Sequence, residues 1–454
     1  MKNKLYFLIE ILYLILSLGF IIINYAVIDK YDFVGIIFAF LFLLILKQIK
    51  LKNKKIKILI MISIIIKFLL IFLSYKIPEN DYLFFYQNSK NFANSIAINN
   101  HYISFFPYLY AYIFLLGNVM KLFGTSYKIV IIVNFIFELL GEFFLYLLIK
   151  EKRSKDAALK STLFYACNPL QYIWIVKCCP VIIVNTLLIL VLYLWQKLNQ
   201  SKNIKKTIFF SFILAIIISV ANLFRPIMII FIIAIFIYLC LGYFSNKNFK
   251  KQNFIFFTII IVIYIMLNTF FNQLISYKIG YRLPNNAGGW SIFVGSNYES
   301  NGRWNKDDAK IFAEISQTKD NVEAQTFFQN EGLKRYNKLG IKTIPLIMKK
   351  SVVLGGALPG YTCSEFLDFI KIKKSLLTSI FHIYAYSYLF FLMIINIMII
   401  YKNKKENSHD IFYLIFIIGL FSSMLLVEVS ERYFIPILVP IMVYCSQYFD
   451  IKSN

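Results

Sequence analysis

Read from its N-terminus, the chain is a succession of apolar runs separated by short basic segments. A helix needs roughly 20 apolar residues to cross about 30 Å of hydrocarbon, and residues 6–27, 33–46 and 58–75 open a series of such runs. Between the second and third stands Lys47-Gln-Ile-Lys-Leu-Lys-Asn-Lys-Lys55. Basic loops are retained on the cytoplasmic side. Lys2 and Lys4 therefore place the N-terminus inside, the 47–55 loop returns inside, and the segment after residue 75 emerges outside.

The runs at 108–123 and 129–149 are both apolar enough to span. Two crossings would export Lys150-Glu-Lys-Arg-Ser-Lys155, whereas one keeps that cluster inside. The pattern therefore predicts an outer-face interfacial helix over 102–123, where Pro107, Gly117 and Asn118 interrupt the apolar run and tyrosines suit headgroup depth. The runs at 129–149, 159–175, 181–195, 209–222, 226–241, 254–271, 376–400, 411–426 and 433–448 then alternate in direction. The sum is an all-α polytopic bundle of about twelve spans, with both termini cytoplasmic. Four regions follow: 1–57, with two extra spans and a basic loop; 58–272, a transmembrane core with a first outer loop at 76–127; 273–374, a large outer loop region; and 375–454, the C-terminal spans. Such a long outer region points to function. Its stretch from Gln325 to Val353 reads as a basic helix lying on the outer leaflet.

Composition agrees: 59% of residues are hydrophobic and 16% charged, which excludes an ordinary soluble enzyme. The net charge of +25 would suggest nucleic acid on a soluble protein, but here the basic residues occupy inter-span loops, so no nucleic-acid partner is expected. Six cysteines form no CxxC, Cys178 and Cys179 are adjacent, and three histidines are scattered, so neither a disulfide framework nor a zinc site is expected. The sequence requires no cofactor and leaves a divalent cation open.

Candidate chemistry collects outside. Glu79, Asp81, Tyr86 and His101 follow the third span. Carboxylates there read either as a solvated helix end or as a general base for a hydroxyl. Arg225-Pro226, Lys177 in Lys177-Cys-Cys-Pro180, and Arg432 in Glu428-Val-Ser-Glu-Arg-Tyr433 also face out by this topology. Each either snorkels to the interface or binds a lipid phosphate. In the long outer region Gly288-Gly-Trp290, Gly295-Ser-Asn297 and Asn301-Gly-Arg-Trp304-Asn305 read as sugar or acceptor contacts through Trp290, Asn297 and Trp304, or simply as turns. Within the spans, Glu10 and Lys67 are expected to pair, Glu142 to meet Lys150 or Lys152, and Glu138 is the sharpest hint of an ion pathway.

The order of motifs resembles bacterial membrane glycosyltransferases of the GT-C superfamily, in the group related to protein O-mannosyltransferases (glycosyltransferase family thirty-nine). The matching pieces are Pro78-x-x-Asp81 with Tyr86, Phe106-Pro107, Lys121-Leu-Phe-Gly124-Thr-Ser, Asn168-Pro169, Arg225-Pro226 and Glu431-Arg-Tyr433-x-x-Pro436. They cover the chain from about Ile58 to its C-terminus. The resemblance implies a GT-C-like bundle in the cytoplasmic membrane with its active site outside. It implies a polyprenyl-phosphate sugar donor, a glycan, lipid or protein acceptor, and surrounding membrane lipids. Asp81 maps onto the family's base, which deprotonates the acceptor for inverting attack. Arg225, Arg432 and Lys177, with Tyr86 and His101 beside them, would serve the lipid phosphate, and Glu79 the sugar or acceptor. Two departures stand out: Tyr82 follows Asp81 where relatives often carry Glu, and Cys178-Cys-Pro180 stands where many carry an acid. The alternatives are a cell-surface polysaccharide polymerase or ligase, and a transporter or lipid flippase.

The topology carries its own test. In a chain whose native cysteines are replaced, Asn118→Cys should react with an impermeant thiol reagent from outside only, and Lys152→Cys only after the membrane is opened. Labelling of position 118 from the cytoplasm alone would refute the interfacial helix.

Overall fold

The computed structural model describes residues 6, 8–15, 17–18, 53–73, 79–245, 252–284, 287–356, 366, 376–406 and 410–450. The expected span at 33–46, Pro78 and most of the basic loops at 47–55 and 247–251 lie outside these residues, and the 6–27 run is described only in part. Among the described residues all regular structure is helical. We number the helices from Asn53: α1 (Asn53–Leu73), α2 (Asn80–Ala93), α3 (Asn100–Phe105), α4 (Tyr108–Phe123), α5 (Tyr127–Lys152), α6 (Lys155–Ala166), α7 (Pro169–Ile175), α8 (Val181–Gln200) and α9 (Ile204–Phe224) come first. They are followed by α10 (Met228–Ser245), α11 (Gln252–Ile279), α12 (Gly289–Gly295), α13 (Lys306–Thr318), α14 (Asn321–Leu339), α15 (Thr343–Gly356), α16 (Leu376–Glu406), α17 (Ile411–Leu426) and α18 (Ile435–Phe449).

The chain is a multi-pass membrane protein. Six of the described helices are long and apolar enough to cross a bilayer, and α4, α10, α17 and α18 are shorter apolar helices. The α4 helix has 16 residues, short of a full crossing. Its Gly117 has a different use from the one the sequence suggested. A Cβ there would come within 2.7 Å of the Phe92 ring, so the glycine lets α2 lie against α4. The expected single run at 159–175 is instead two helices. Asn168 ends the first and caps the second by accepting from the Leu170 N–H, with Pro169 in the first turn. Likewise the expected continuous helix at 325–353 is broken between α14 and α15 by Gly340, whose φ is 51°.

Helix α5 is the axis of the bundle. It packs against α8, α6 and α1, while α8 also meets α9 and α18. The buried charged groups along it are partnered inside the protein, as hydrocarbon requires. Glu138 and Glu142, one turn apart, share the ammonium of Lys67 on α1 at 2.9 and 2.5 Å, all three buried. The expected assignment of Lys67 to Glu10 is thereby corrected: two carboxylates at helical spacing on α5 offer it a two-point cradle. Neither Lys150 nor Lys152 serves Glu142. Lys152 instead reaches Asp410 at 2.6 Å, and Arg153 and Gln447 join the same carboxylate, tying the end of α5 to α17 and α18.

A second, smaller core lies apart from the bundle. Phe105 and Phe106, between α2 and α4, pack with Trp290, Phe293, Val294, Ala324 and Phe328. Gln325 stitches the two segments together, its amide donating to the Phe105 carbonyl at 2.9 Å and accepting from the Trp290 N–H at 3.0 Å.

Breaking the Lys67 cradle should be costly in one direction only. Lys67→Met strands two buried carboxylates and should lower stability by about 3–5 kcal/mol, whereas Glu142→Gln leaves one carboxylate for one ammonium and should cost far less. Thermal unfolding in detergent measures both; equal losses would show that the ions act only through packing.

Candidate active site

Four segments far apart in sequence meet at one end of the bundle. Asp81 lies in the first turn of α2, where the exposed helix N–H groups favour a negative charge. The residue before it, Asn80, takes a left-handed φ of 54°, a conformation asparagine tolerates better than most residues. Asp81 is open to solvent, its side chain 62% exposed, and its Oδ2 accepts from Nη1 of Arg432 at 3.1 Å.

Arg432 sits in a short 3-10 turn, Glu431–Tyr433. The ring of Tyr433 is shared by two guanidinium groups: that of Arg225 lies 4.3 Å from its centroid and that of Arg432 5.6 Å. Such contacts stabilise a cation with no anion consumed. Arg225 is placed where α9 stops, because Pro226 cannot continue the helix. The third cation, Lys177, is buried, with its ammonium 5.0 Å from the Tyr82 ring and 4.8 Å from the Trp174 ring. Its turn is fixed from α5, where Asn134 donates to the carbonyls of Ile175 and Lys177 at 2.9 and 2.8 Å. Burial pushes the Cys179 thiol up to about 11, against a hydrogen bond from the Val181 N–H and the pull of Arg432, Lys177 and Arg225.

The second core reaches this cluster through the segment between α17 and the 3-10 turn. The Glu428 N–H donates to the Ser291 carbonyl at 2.6 Å and the Val429 N–H to the Gly302 carbonyl at 2.9 Å. The Tyr336 hydroxyl lies 3.0 Å from the Leu426 carbonyl and 2.9 Å from that of Gly295. Buried Lys350 donates to the Gly295 carbonyl at 2.9 Å and to the Tyr336 hydroxyl at 3.1 Å. Gly295 permits this approach: a Cβ there would lie 2.3 Å from the Val427 carbonyl carbon.

Glu428 is thereby held in the field of Arg432, Asp81, Arg225 and Lys350. Burial pushes its carboxyl up to about 7, with Asp81 adding to the rise and the three cations opposing it. Burial also brings the Lys350 ammonium down to about 7, opposed by Glu428. Burial, then Asp81 and Glu428, raise the Tyr102 hydroxyl to about 12.

Of the residues singled out by sequence, Asp81, Lys177, Arg225 and Arg432 come together here. Glu79 is at the N-cap of α2, two residues before Asp81, and makes no side-chain capping bond. Tyr86 donates to the Thr125 carbonyl at 2.8 Å and packs on Tyr127, while the His101 ring meets Phe105 and Tyr281. Trp290 is not an open stacking surface: its ring is buried among Phe293, Phe312 and Phe328 with centroids 5.0–5.9 Å away, because the second core needs it. Asn297 is also engaged, donating to Asp308 and accepting from two backbone N–H groups in its own turn. Trp304 is 58% exposed. Sequence reasoning did not single out Glu428, Tyr433, Tyr82, Tyr102 or Lys350; the one signal for the first two was a polar island, Glu428–Tyr433, between two apolar runs.

Among the described residues no three His, Cys, Asp or Glu side chains gather as metal ligands. The two carboxylates here stand among cations, an environment that suits an anion, and no step is routed through a metal.

Residues 107–270 match the family model described as dolichyl-phosphate-mannose-protein mannosyltransferase. The matched stretch, about a third of the chain, includes Lys177 and Arg225 and excludes Asp81 and Arg432. Among solved structures the chain is similar to the Archaeoglobus fulgidus oligosaccharyltransferase crystallised with Zn and sulfate, at 13% identity and TM-score 0.47, over 86% of this chain and 48% of that one. It is also similar to ArnT from Cupriavidus metallidurans bound to undecaprenyl phosphate, at 10% identity and TM-score 0.39, over 88% and 77% of the two chains. The chain thus spans about half the length of the oligosaccharyltransferase. No curated protein matches it.

The two tryptophans should separate cleanly. Trp290→Ala removes a core ring and should cost about 3–5 kcal/mol in chemical unfolding. Trp304→Ala should stay within about 0.5 kcal/mol of the parent. A silent Trp290→Ala would return that ring to the candidates for ligand stacking.

Proposed function

We propose that the chain is an integral-membrane glycosyltransferase that moves a sugar from a polyprenyl-phosphate donor to an acceptor hydroxyl on the outer side of the cytoplasmic membrane. The observation that carries this reading is the convergence of Arg225, Arg432 and Lys177, from three separate loops, around the exposed Asp81. Asp81 is the general base: its carboxylate takes the acceptor proton as the acceptor oxygen bonds to the anomeric carbon from the face opposite the leaving group. The bond from that carbon to the phosphate oxygen breaks, its electron pair stays on the polyprenyl phosphate, and the configuration inverts. The planar forks of Arg225 and Arg432, aided by Lys177, offset the charge that grows on the phosphate. Arg432 holds one oxygen of Asp81, so a phosphate entering between the arginines would draw Arg432 away and release that oxygen for the acceptor proton.

The sidedness has physical support. Asn134 near the cluster and Lys152 at the Asp410 hub are 18 residues apart on one helix, roughly 27 Å at 1.5 Å per residue, close to the hydrocarbon thickness. The hub gathers Lys152 and Arg153, as a cytoplasmic end would. Glu138, the one sequence hint of a transporter, is engaged by Lys67.

In membranes given a radiolabelled polyprenyl-phosphate sugar, Asp81→Asn should reduce transfer at least about hundredfold at unchanged donor affinity. Arg225→Ala should raise the donor KM about tenfold, the loss of one charge-assisted contact. Retained transfer by Asp81→Asn would remove the base assignment, and an unchanged donor KM in Arg225→Ala would remove the phosphate role.

A further inference from the structure

The break at Gly340 divides the 325–353 stretch into two pieces with different uses. The first, the end of α14, is spent on the second core through Gln325 and Phe328. The second, α15, is packed on one side only. Leu346, Lys350 and Val353 recur at helical spacing and are buried, with Lys350 tied to the Gly295 carbonyl and the Tyr336 hydroxyl. On the opposite side Ile344 and Met348, one turn apart, are 62% and 58% exposed. Ile341, in the 3-10 turn that leads into the helix, is 86% exposed. The surrounding sequence is basic. From Gly332 to Ser364 it carries Lys334, Arg335, Lys338, Lys342, Lys349 and Lys350 and neither Asp nor Glu.

We infer that this side of α15 docks on the membrane itself: Ile341, Ile344 and Met348 enter the leaflet on the candidate site's side, and Lys338 and Lys342 meet the phosphates of anionic lipid headgroups there. Position along the bundle decides the occupant. The Tyr336 hydroxyl bonds the carbonyl of Leu426, the last residue of the apolar helix α17, and α15 packs against both α17 and the Glu431–Tyr433 turn. The bare side chains therefore lie where an apolar helix ends, at the depth where hydrocarbon gives way to headgroups. Leu426 is exposed as well, so apolar surface is already present at that level. An amphipathic helix at such a boundary rests its apolar face on the acyl chains and its lysines among the headgroups. Lys338 and Lys342, both exposed, stand on either side of Ile341 in the chain, and their long stems let the ammonium groups reach phosphate. A leaflet containing anionic lipid supplies both complements, hydrocarbon and negative charge. Docked in this way, α15 lies between the lipid and the second core, with Lys350 on its inner side holding the Gly295 carbonyl. The inference depends on α17 being a membrane helix and not on sugar transfer, so either can fail alone.

The test uses the full chain with its native cysteines replaced, a bimane label at one position, and nanodiscs of phosphatidylcholine and phosphatidylglycerol in equal parts, loaded with a single chain each. Nitroxides high on the acyl chains should quench a label at Ile344→Cys or Met348→Cys at least about twofold more than one at Asp307→Cys, a position 90% exposed in α13. All three positions are exposed, where substitution leaves stability nearly unchanged. With the nitroxide carried on phosphatidylglycerol instead of an equal amount of phosphatidylcholine, quenching at 344 should rise about twofold, and Lys338→Gln with Lys342→Gln should remove the excess. Quenching at 344 and 348 no stronger than at 307 overturns the inference. A blue-shifted label that the nitroxide spares also overturns it, because a protein then covers the face. Equal quenching by the two lipids overturns the anionic headgroup contact, and an excess that survives both lysine substitutions overturns the assignment of those lysines.

Discussion

A charge inside a bilayer must be partnered within the protein, and the structure is organised around meeting that demand at three heights along α5. At one end Asp410 gathers Lys152, Arg153 and Gln447, closing the C-terminal helices onto the bundle. In the middle Lys67 answers Glu138 and Glu142. At the other end Asn134 fixes the carbonyls of the turn that carries Lys177. The first two clusters are internally answered. The third sets Arg225 and Lys177 against aromatic rings, which stabilise a cation without neutralising it.

The second core explains how a cluster built at helix ends holds its geometry. Loops at a bilayer surface have few apolar contacts to fix them. Here the Leu426–Val429 stretch is bound by backbone hydrogen bonds to a packed unit that includes Phe105 and Phe106, between α2 and α4. The same unit therefore braces the segment after Asp81 and the segment before Arg432. The distance between Asp81 and Arg432 is set by a shared scaffold rather than by two independent loops.

Much of the fold was legible because apolar length and basic-loop bias are strong, redundant signals. The helices α5, α8, α9, α11 and α16 cover the runs they were expected to cover. Asp81, Lys177, Arg225 and Arg432 were also legible, since charge next to a span end is conspicuous in a chain that is only 16% charged. What sequence could not show was partnership. Lys67 fits Glu10 as well as Glu138 when only sign and depth are known, and the choice depends on which helices touch. Trp290, Asn297 and Gly288-Gly289 carry the same letters whether they bind sugar or pack. Contacts across the second core tell the two uses apart: Trp290 lies among three phenylalanine rings, Asn297 bonds Asp308, and the Gln325 carbonyl oxygen would lie 2.0 Å from a Cβ on Gly289. The breaks at Asn168 and Gly340 were hidden for a related reason: one capping residue or one positive φ interrupts a helix without altering the hydropathy around it.

The aromatic housing of the cations has a chemical consequence beyond stability. Had each arginine been neutralised by its own carboxylate, an incoming phosphate would have to displace two ion pairs and desolvate two freed carboxylates. Sharing Tyr433 instead keeps Arg225 and Arg432 beside the same ring despite their mutual repulsion, with Asp81 as the single direct anionic contact of Arg432 among the described residues. In the proposed reaction one displacement would serve two purposes, since the movement that gives Arg432 to a phosphate also releases the Asp81 oxygen that Arg432 holds. A buried pair that closed on itself could hold the fold equally well, but it could not link occupancy by the leaving group to availability of the base.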